Sequence, residues 1–437
     1  MNKLFTSFTN QFTRIKRYIT DGVSSEQTAV LFTLEGIFLS ITNNIIINNN
    51  NLYATRLGAS NFQISLVTSL PQLVGMIALI PGGMITDRMR NKRKMVITTL
   101  FLVAIVYASI GFVPLLPQHQ VIAFLGLLAL SAGPMTLYNA SWQAYFSDVV
   151  DERERNRVYA VRTRWTFAVA ITVPLITGTL LVSAKTVSAK IGYHQFFFWI
   201  ATLLILIQIL VLKRISGGGV QPRQRMSVLE IKREFVNLLR NKRYMRFVVV
   251  ALFFYMVWQS DWSLYYLAQV NYLKYNEQWL SFVVVGGATI QFLSIGFWSR
   301  VNERFGMWSS MVLGALSLAI YPVAIIISTS LPLLIGKPLF IAMIVLAGFG
   351  FTAILLNILQ CLLQVIPKEN KTLSISVYTV LITLSNVVMP MLGVEVYTAL
   401  GASKGALHTT YVFVFLGRII AVGLWMLLWR QNKLRKI

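Results

Sequence analysis

Four ionisable residues stand out inside the long apolar stretches of the chain, and they are Glu35, Asp261, Glu395 and Arg418. An ionisable side chain inside a membrane helix costs about 2.5–3.5 kcal/mol on insertion scales, so it usually faces a cavity or a partner. A medium of low dielectric favours the protonated form of a carboxyl group, which can then take up and release a proton near neutral pH. These side chains are therefore the first candidates for proton binding and for contact with a cationic solute.

Asp261 lies in a polar and aromatic setting, Trp258-Gln259-Ser260-Asp261-Trp262, about 21 Å from the inner end of its stretch at the helical rise. We predict that it couples proton entry to a change of state or binds a cationic solute; the alternative is a carboxyl held by a serine or an asparagine for packing. Glu35 lies about 9 Å deep in the first stretch, where inner water or Arg164 can reach it. For Glu35 both a coupling role and a structural role stay open.

Glu395 and Arg418 form the second pair of candidates, and both lie within about 12 Å of the outer ends of the last two stretches. Because those stretches are consecutive and antiparallel, side chains at comparable depth can meet. Leaving an arginine unpaired inside the membrane is costly. We therefore predict a structural ion pair between Glu395 and Arg418.

Amide side chains and one tryptophan recur in the first, fourth, seventh and tenth stretches. Amides can hydrogen-bond a polar solute, and a tryptophan can cover an apolar or sugar face. Asparagine and glutamine also join helices to one another inside membranes, and for any single amide we favour this second use. The candidates for solute contact are Gln259, Asn43, Asn44, Asn48, Asn139, Trp142, Gln143, Asn357 and Gln360.

The composition indicates that the chain that carries these candidates is a membrane protein. Of the 437 residues, 56% are hydrophobic and only 12% are charged, whereas an ordinary soluble chain has about 25% charged residues. This excludes a soluble globular enzyme and a disordered chain. A single cysteine, Cys361, excludes an internal disulfide, and the sequence has neither a phosphate-binding glycine loop nor a hydrolase signature. We expect no enzymatic activity, no metal and no cofactor.

Twelve stretches are long and apolar enough to cross a bilayer, which takes about 20 residues. They predict an all-α membrane protein of twelve transmembrane helices. The predicted stretches are Ala29–Tyr53, Phe62–Ile85, Met95–Leu116, Gln120–Ser147, Val158–Leu181, Phe196–Leu212, Phe247–Val270, Trp279–Trp298, Met307–Ile327, Pro338–Ile366, Leu373–Leu400 and Thr410–Trp429.

Most of the 39 lysine and arginine residues fall in the two terminal segments and in alternate connections. This distribution predicts that both termini and the basic connections lie in the cytoplasm. The net charge of +24 then faces anionic lipid, and a nucleic-acid partner is not needed to explain it. We expect a multi-pass protein of the plasma membrane, of the kind found in a bacterial inner or cell membrane. All three histidines are expected in, or at the edge of, outer connections.

The twelve stretches divide into two halves that resemble each other weakly. Asn139 in the fourth stretch corresponds to Asn357 in the tenth, and similar correspondences precede the second and eighth stretches. Parallel repeats of six helices imply two pseudo-symmetric bundles with a cavity between them. We predict a bundle of residues 1–212, a basic cytoplasmic linker of residues 213–245 and a second bundle of residues 246–437.

Two segments outside the apolar stretches are predicted to form amphipathic helices at the inner membrane surface; for the linker segment, a solvated loop that packs weakly is the alternative. Within the linker, Ser227-Val228-Leu229-Glu230 fits a capping box that begins a helix with alternating apolar and basic faces. The N-terminal tail has a similar pattern, with Phe5, Phe8 and Phe12 beside basic residues.

The segment Pro81–Lys94 resembles the signature between the second and third helices of the major facilitator superfamily, a family of secondary active transporters. Gly83, Asp87 and Arg88 match that signature, while Arg90 and Asn91 stand where the family has a later glycine. Asp148, followed by Arg155 and Arg157, is similar to the acidic-then-basic element after the family's fourth helix.

This resemblance implies a transporter that moves a small solute by alternating access. It also implies a latch on the cytoplasmic side, in which Asp87 faces the start of the eleventh helix and basic side chains pair with acids of neighbouring helices, with Asp148 as the natural partner. The latch residues are Gly83, Asp87, Arg88, Arg93, Asp148 and Arg155.

The partners we expect are a small solute, protons and membrane lipids, with the protein itself a monomer. Import and export both stay open, as do proton and sodium coupling. The alternative to a transporter is a sensor that keeps the transporter scaffold, or a lipid-handling membrane protein without ion-coupled flux.

Overall fold

The computed structural model describes residues 25–88, 91–151, 153–215, 236–366 and 371–434. It also describes their side chains, except at residues 25–26, 80–88, 156, 371–373 and 433–434. Throughout the described residues the regular structure is helical, and twelve helical segments are long and apolar enough to cross a membrane. The predicted all-α membrane fold with twelve spans is confirmed.

In the described part of the chain, nine of these spans are single α-helices, and spans 1, 7 and 9 are each made of two α-helices. The single helices are Asn61–Arg88 (span 2), Lys92–Gly111 (3), Gln120–Val149 (4), Arg155–Ser183 (5), Val187–Arg214 (6), Glu277–Phe305 (8), Leu333–Val365 (10), Lys371–Ala399 (11) and Lys404–Leu434 (12). The divided spans are Ser25–Ile46 with Asn50–Arg56 (1), Lys242–Gln259 with Trp262–Leu267 (7) and Met307–Leu318 with Ile320–Ser330 (9). We call the side on which span 1 ends at Arg56 the outer side, and the opposite side the inner side.

The breaks in spans 1 and 7 lie at corresponding places in the two halves of the chain. In span 1 a 3₁₀ turn, Ile47–Asn49, joins the two helices, and in span 7 the chain turns at Ser260 and Asp261. Span 11 packs directly on this second break, because a Cβ atom at Gly393 would lie 1.8 Å from the carbonyl oxygen of Ser260. Non-helical backbone at membrane depth is tolerated only where it is buried in protein or lines a cavity.

The break in span 9 has a visible cause in the sequence. The carbonyl of Leu318 would normally accept a hydrogen bond from the residue four positions later, but that residue is Pro322, which has no N–H. The first helix of the span therefore ends at Leu318, and the second begins at Ile320. The carbonyl oxygen of Leu318 is left to accept a hydrogen bond from another element.

The apolar core is divided along the chain. One buried cluster runs from Phe32 to Ile215 and contains residues of spans 1 to 6, while a second runs from Leu238 to Leu428 in the second half. A third cluster joins Leu52 and Ile64 of the first half to residues of spans 7 to 12. Between the halves, span 5 packs against span 8 and span 2 packs against span 11.

Span 6 begins earlier than the sequence predicts. The side chain of Thr186 accepts a hydrogen bond from the N–H of Ala189, at 3.1 Å, and so caps a helix that starts at Val187. Lys190 and His194 consequently belong to the first two turns of the span. His194 is 1% exposed, so its place is in the packed outer end of a helix and not in a loop.

Both predicted amphipathic segments fall largely or wholly outside the described residues. The N-terminal tail precedes residue 25, and the capping box of the linker lies within residues 216–235. Residues 236–240 are helical, and Leu238 among them is buried against the core of the second half.

Candidate functional site

Asp261 and Arg418 form a buried ion pair inside the second half. The Nη2 atom of Arg418 lies 2.7 Å from each carboxylate oxygen of Asp261, and the two side chains are only 3–4% exposed. The predicted pair between Arg418 and Glu395 is therefore wrong, because Arg418 turns toward span 7 while Glu395 is exposed on span 11. The acid that we predicted for function and the base that we predicted for structure are partners.

Arg418 is held at this place by the backbone breaks of two spans. Its Nη1 donates to the carbonyl oxygen of Leu318, which Pro322 leaves without a helical partner, at 2.5 Å. Its Nη2 also lies 3.4 Å from the carbonyl oxygen of Trp258, in the last turn before the break of span 7. Carbonyl groups at helix ends need donors of this kind. The guanidinium therefore has two anchors that do not depend on Asp261.

A cavity of about 510 Å³ opens beside the ion pair. Asp261 and Arg418 line it together with aromatic residues of spans 7 and 9 and with residues of span 8. Thr68 on span 2 contributes from the first half, so the cavity lies between the halves. The polar and aromatic lining residues are Thr68, Trp258, Trp262, Tyr265, Gln291 and Tyr321.

A second cavity, of about 660 Å³, adjoins the first, because Thr68 and Trp262 line both. Spans 1, 2 and 4 form most of its wall, and Thr379 and Thr383 of span 11 form the opposite side. Asn50 and Asn51, at the break of span 1, also line it, and their side-chain oxygens have no hydrogen-bond partner among the described residues. These oxygens can accept hydrogen bonds from a polar solute.

Several predicted amides bond to the backbone of their own helix. The amide nitrogen of Asn44 donates to the carbonyl of Ser40 at 2.8 Å, and that of Asn357 donates to the carbonyl of Ala353 at 2.7 Å. Asn48 similarly reaches Asn44, at 3.2 Å. Neither cavity is lined by any of these three amides.

The remaining predicted contact residues differ in exposure. Asn139 and Gln143 are exposed and follow Thr136, a residue that lines the larger cavity, at spacings of three and seven residues on the same face of span 4. Gln360 is exposed on span 10, whereas Asn43 is half-buried. Gln259 is fully buried beside the break of span 7, and its amide has no hydrogen-bond partner among the described residues.

Glu35 lies at the centre of a separate buried network in the first half. Tyr138 donates a hydrogen bond to its carboxylate, Gln208 donates another at 2.9 Å, and Arg162 lies 3.3 Å away. The Arg162 guanidinium lies 4.2 Å from the ring centre of Trp142, a predicted contact residue that is buried in the core of the first half and lines neither cavity. The basic partner of Glu35 is thus Arg162 and not Arg164, and Glu35 lines neither cavity.

We expect Glu35→Gln to lower thermal stability and to leave transport by the folded protein in place. The substitution removes one partner of a buried ion pair, a change that costs about 3–5 kcal/mol. The measurement is the melting temperature in detergent beside uptake per folded molecule, with Glu154→Gln as control, because Glu154 forms an exposed pair with Arg157. Uptake lost from a variant that melts like the unsubstituted protein would instead give Glu35 a coupling role.

A third charged group joins the two halves at the outer side. Glu277, in the first turn of span 8, accepts a hydrogen bond from Arg56 at the end of span 1, and Lys190 of span 6 lies 2.7 Å from the same oxygen. Arg56 also contacts the Nε2 atom of His194, at 2.8 Å. Next to this cluster the hydroxyl groups of Thr55 and Tyr266 lie 2.9 Å apart. Residues of both halves therefore meet in charged and polar contacts on this side.

Spans 5 and 8 also touch at the outer side through a small residue. A Cβ atom at Gly178 would lie 2.1 Å from the Oγ of Ser281 and 3.1 Å from the carbonyl oxygen of Glu277. The close approach of the two helices at this point depends on the glycine, because any side chain would meet span 8.

The arrangement of twelve spans around a cavity between two halves agrees with a family comparison. A family model described as the Major Facilitator Superfamily matches residues 32–390. The chain belongs to the Major Facilitator Superfamily. It is therefore a transporter and not an enzyme, as the sequence predicted.

Solved structures of this superfamily's fold resemble the chain over nearly its whole length. A bacterial homologue of the human lysosomal transporter Spinster, inward-facing and unoccupied, has a TM-score of 0.68 at 15% identity, covering 94% of this chain and 98% of its own. The nucleoside transporter NupG has a TM-score of 0.72 at 11% identity, covering 92% and 99%. A bacterial homologue of the iron transporter ferroportin, inward-facing, has a TM-score of 0.71 at 12% identity, covering 93% and 99%.

At these identities the likeness concerns the fold alone. Among proteins of curated function, none resembles the sequence closely enough to count as a match.

The superfamily signature at the inner side is only partly described. Gly83, Asp87 and Arg88 lie in the last turns of span 2, where the structure gives the backbone but not the side chains, and Thr372 likewise lacks a described side chain. The latch between Asp87 and span 11 therefore stays a prediction.

The described part of this loop corrects one predicted contact. Asp148 pairs with Lys92 at 2.7 Å and not with Arg93. Arg93 instead donates to the carbonyl oxygen of Ile215, at 2.8 Å, just past the end of span 6 where helix carbonyls lack partners. Arg155 likewise bonds to backbone carbonyls, those of Ser147 and Val150.

Sequence reasoning missed the central acid of the outer cluster and several residues of the cavity walls. Glu277 lies just outside the predicted eighth stretch, Trp279–Trp298, where a charged residue at the end of a span gives no sign of a site. Asn50 and Asn51 follow three candidate asparagines in the same run, and the run itself was the signal. Tyr265, four residues after Asp261, shares a helical face with it and could have been found by spacing.

Proposed function

We propose that this transporter carries a small polar solute through the two joined cavities, and that movement is coupled to protons through Asp261. The observation that carries the proposal is the buried pair of Asp261 and Arg418, which lines a cavity at the break of span 7. Discontinuous helices near the midplane supply the solute and ion sites of many secondary transporters. A buried pair that also lines a cavity can be opened by a proton or by a solute.

The coupling step follows from the anchors of Arg418. A proton on Asp261 removes the negative charge that compensates the guanidinium, while the carbonyl groups of Leu318 and Trp258 keep the guanidinium in place. The guanidinium then attracts an anionic or acceptor group of the solute, with which it forms charge-assisted hydrogen bonds. Departure of the solute favours loss of the proton, because the carboxylate again becomes the partner of Arg418.

The walls of the cavities favour a solute with both polar and flat apolar parts. Trp258, Trp262, Tyr265 and Tyr321 supply aromatic surface beside the ion pair. In the adjoining larger cavity, the side-chain oxygens of Asn50 and Asn51 in the first half supply hydrogen-bond acceptors. A ligand that spans both cavities contacts both halves of the protein, as alternating access about a site between the halves requires. The nucleoside transporter with a similar fold carries a solute of this general kind.

The proposed transport cycle requires two gates. At the outer side, Glu277 with Arg56 and Lys190 joins the halves and closes the cavity from that side. At the inner side, the exposed amides of Asn139 and Gln143 continue the lining face of span 4 toward the inner end of the span. We assign this arrangement to a state that is closed outside and open inside. The signature residues Gly83, Asp87 and Arg88 are proposed to close the inner side in the opposite state.

The setting of this cycle is also a proposal. The two moving units are residues 1–212 and 246–437, joined by the basic linker of residues 213–245. Buried clusters confined to each half support this division. We place the protein in the plasma membrane as a monomer. The distribution of lysine and arginine supports an orientation with the basic inner side in the cytoplasm.

The experiment has two steps, and the first is a thermal-shift screen of the purified protein with sugars, amino acids, nucleosides, organic acids and cationic drugs. A ligand that binds the folded state raises the melting temperature by mass action. The second step places the hit outside proteoliposomes that contain a pH-sensitive dye. We expect the hit to drive a proton flux through the protein, and we expect the shift to shrink in Asn50→Ala.

Two results would contradict the proposal. Solute uptake without any accompanying change of internal pH would contradict proton coupling and would indicate an uncoupled or sodium-coupled carrier. Binding without any uptake would favour a sensor that keeps the transporter scaffold.

A further inference from the structure

An apolar groove runs between spans 7 and 12 on the surface of the second half, and it shares no lining residue with the two cavities between the halves. It has a volume of about 410 Å³. Val249 is 58% exposed and Leu427 is 54% exposed, so the groove opens toward the surrounding bilayer. The apolar residues that line it are Met245, Val249, Val250, Leu424, Leu427 and Leu428.

Basic side chains close the inner end of this groove. Lys242 and Arg246, one turn apart on span 7, line it together with Gln431 of span 12. The same three residues line a smaller cavity of about 130 Å³, to which Arg243 and Asn432 also belong. The two cavities therefore form one site with an apolar body and a cationic end.

Within the described part of the chain, no acidic side chain neutralises the cationic end. Lys242, Arg243 and Arg246 are exposed, and none of them takes part in an ion pair with another residue that the structure describes. No carboxylate is present among the residues that line either cavity. Span 7 begins at Lys242, so the positive end of its dipole adds to the field.

We propose that this site binds one anionic phospholipid. The phosphate of the headgroup lies between Lys242 and Arg246, with hydrogen bonds available from Gln431, and one acyl chain lies along the groove. The site is at the inner end of the two spans, the level at which headgroups of an anionic cytoplasmic leaflet lie. Pockets of basic residues between transmembrane helices recognise anionic headgroups in this way.

The position of the site connects it to the ion pair at the centre of the protein. Span 7 carries Asp261 and span 12 carries Arg418, and these are the two spans that the lipid would bridge at their inner ends. A bound lipid thus joins the helices that must keep the pair in register.

Native mass spectrometry of the full-length protein in detergent tests the site, with dioleoylphosphatidylglycerol as the anionic probe and dioleoylphosphatidylcholine as the zwitterionic one. We expect tighter binding of the phosphatidylglycerol. A surface cation contributes about a fivefold change in affinity for anionic lipid, so Lys242→Gln with Arg246→Gln is expected to weaken phosphatidylglycerol binding about 25-fold. Binding of phosphatidylcholine is expected to stay unchanged.

The matched control is Arg300→Gln with Arg304→Gln, which removes the same charge from exposed positions at the inner end of span 8. An equal loss of affinity in the control pair would overturn the site and leave only a general surface charge. Retained preference in the Lys242 and Arg246 variant would overturn it as well.

Two further measurements separate a lipid from a free phosphate. Val249→Trp fills the groove from the bilayer side, where added volume disturbs no core packing, and it is expected to weaken both lipids at least fivefold. Glycerol 3-phosphate carries the same phosphate without a chain, and it is expected not to displace phosphatidylglycerol. Displacement by glycerol 3-phosphate, together with no effect of Val249→Trp, would show a phosphate site and contradict a lipid site.

Discussion

Asp261→Asn is expected to abolish accumulation of the solute against its gradient while exchange of solute across the membrane continues. Asparagine resembles the protonated acid in shape and charge but cannot release a proton. In the proposed cycle the departure of the solute is followed by loss of the proton from Asp261, and this second step is lost in the variant. The solute can still bind and dissociate on either side, but the proton gradient no longer drives its movement. The internal solute concentration should therefore rise only to the external value, as measured by uptake into proteoliposomes with an imposed pH gradient beside counterflow without one.

The variant must be separated from simple misfolding, because Arg418 is only 3% exposed and loses its carboxylate. Removing one partner of a buried pair costs about 3–5 kcal/mol. The carbonyl groups of Leu318 and Trp258 still accept from the guanidinium, so we expect a lower melting temperature without loss of the fold. A double variant, Asp261→Asn with Arg418→Gln, removes both charges and should recover part of the stability without recovering accumulation.

This double-variant cycle distinguishes the two roles of the pair. Stability responds to the coupling energy between the side chains, whereas accumulation responds to the titratable carboxyl group alone. Glu395→Gln is the matched control, since it neutralises an exposed acid on span 11 of the same half. Accumulation that survives in folded Asp261→Asn would make the pair a structural one and would move coupling elsewhere.

The number and order of the spans could be predicted because hydropathy is a local property of the sequence. Each stretch of about 20 apolar residues can be recognised from its own composition, without knowledge of the other stretches. The partner of Arg418 could not be predicted in this way. Depth along a helix follows from residue number, but the neighbour that a side chain meets depends on the rotation of the helix and on which spans pack together. Glu395 lies at a depth in the membrane similar to that of Arg418 but is exposed. Asp261 lies on the side of the protein toward which the Arg418 side chain points.

The helix breaks show the same limit in another form. The break in span 9 could have been predicted from the sequence, because Pro322 has no backbone N–H to donate to the carbonyl of Leu318. The break at Ile47–Asn49 contains neither proline nor glycine, so the local sequence gives little sign of it. Its counterpart at Ser260 becomes visible only when span 11 is seen to pack against it through Gly393. The break in span 1 positions two of the residues that line the larger cavity, Asn50 and Asn51.

The outer cluster could be predicted least of all, because its members come from three spans that are distant in sequence. Arg56, Lys190 and Glu277 each lie at the end of a span, where a charge is ordinary and solvated. Their importance arises only when the outer ends of spans 1, 6 and 8 meet. The two basic residues contact one oxygen of Glu277, which makes this acid the central charge of the contact.

Glu277→Gln is therefore expected to open the outer side. Without the carboxylate, Arg56 and Lys190 of the first half lose the opposite charge on the second half, so the electrostatic attraction that joins the halves on this side is lost. If the outer contact stabilises the outward-closed state by about 1–3 kcal/mol, its loss raises the ratio of outward-open to outward-closed protein by about 5- to 150-fold. We expect the variant to keep its fold, since the buried cores of the two halves do not depend on this contact.

The measurement is the reactivity of a cysteine placed in the cavity with a membrane-impermeant maleimide added from the outer side. Thr68→Cys is the reporter, because Thr68 lines both cavities, and the natural Cys361 is fully buried and does not compete. Labelling of Thr68→Cys should rise at least fivefold when Glu277→Gln is added, and it should not rise with Glu395→Gln, the same change at an exposed outer position. Unchanged labelling from the outer side would mean that apolar contacts and the Gly178–Ser281 approach hold the halves together, and that the charged cluster is not the gate. A rise in labelling that occurs with Glu277→Gln and not with Glu395→Gln would show that the Glu277 carboxylate stabilises the closed outer side. Its two basic partners belong to the opposite half.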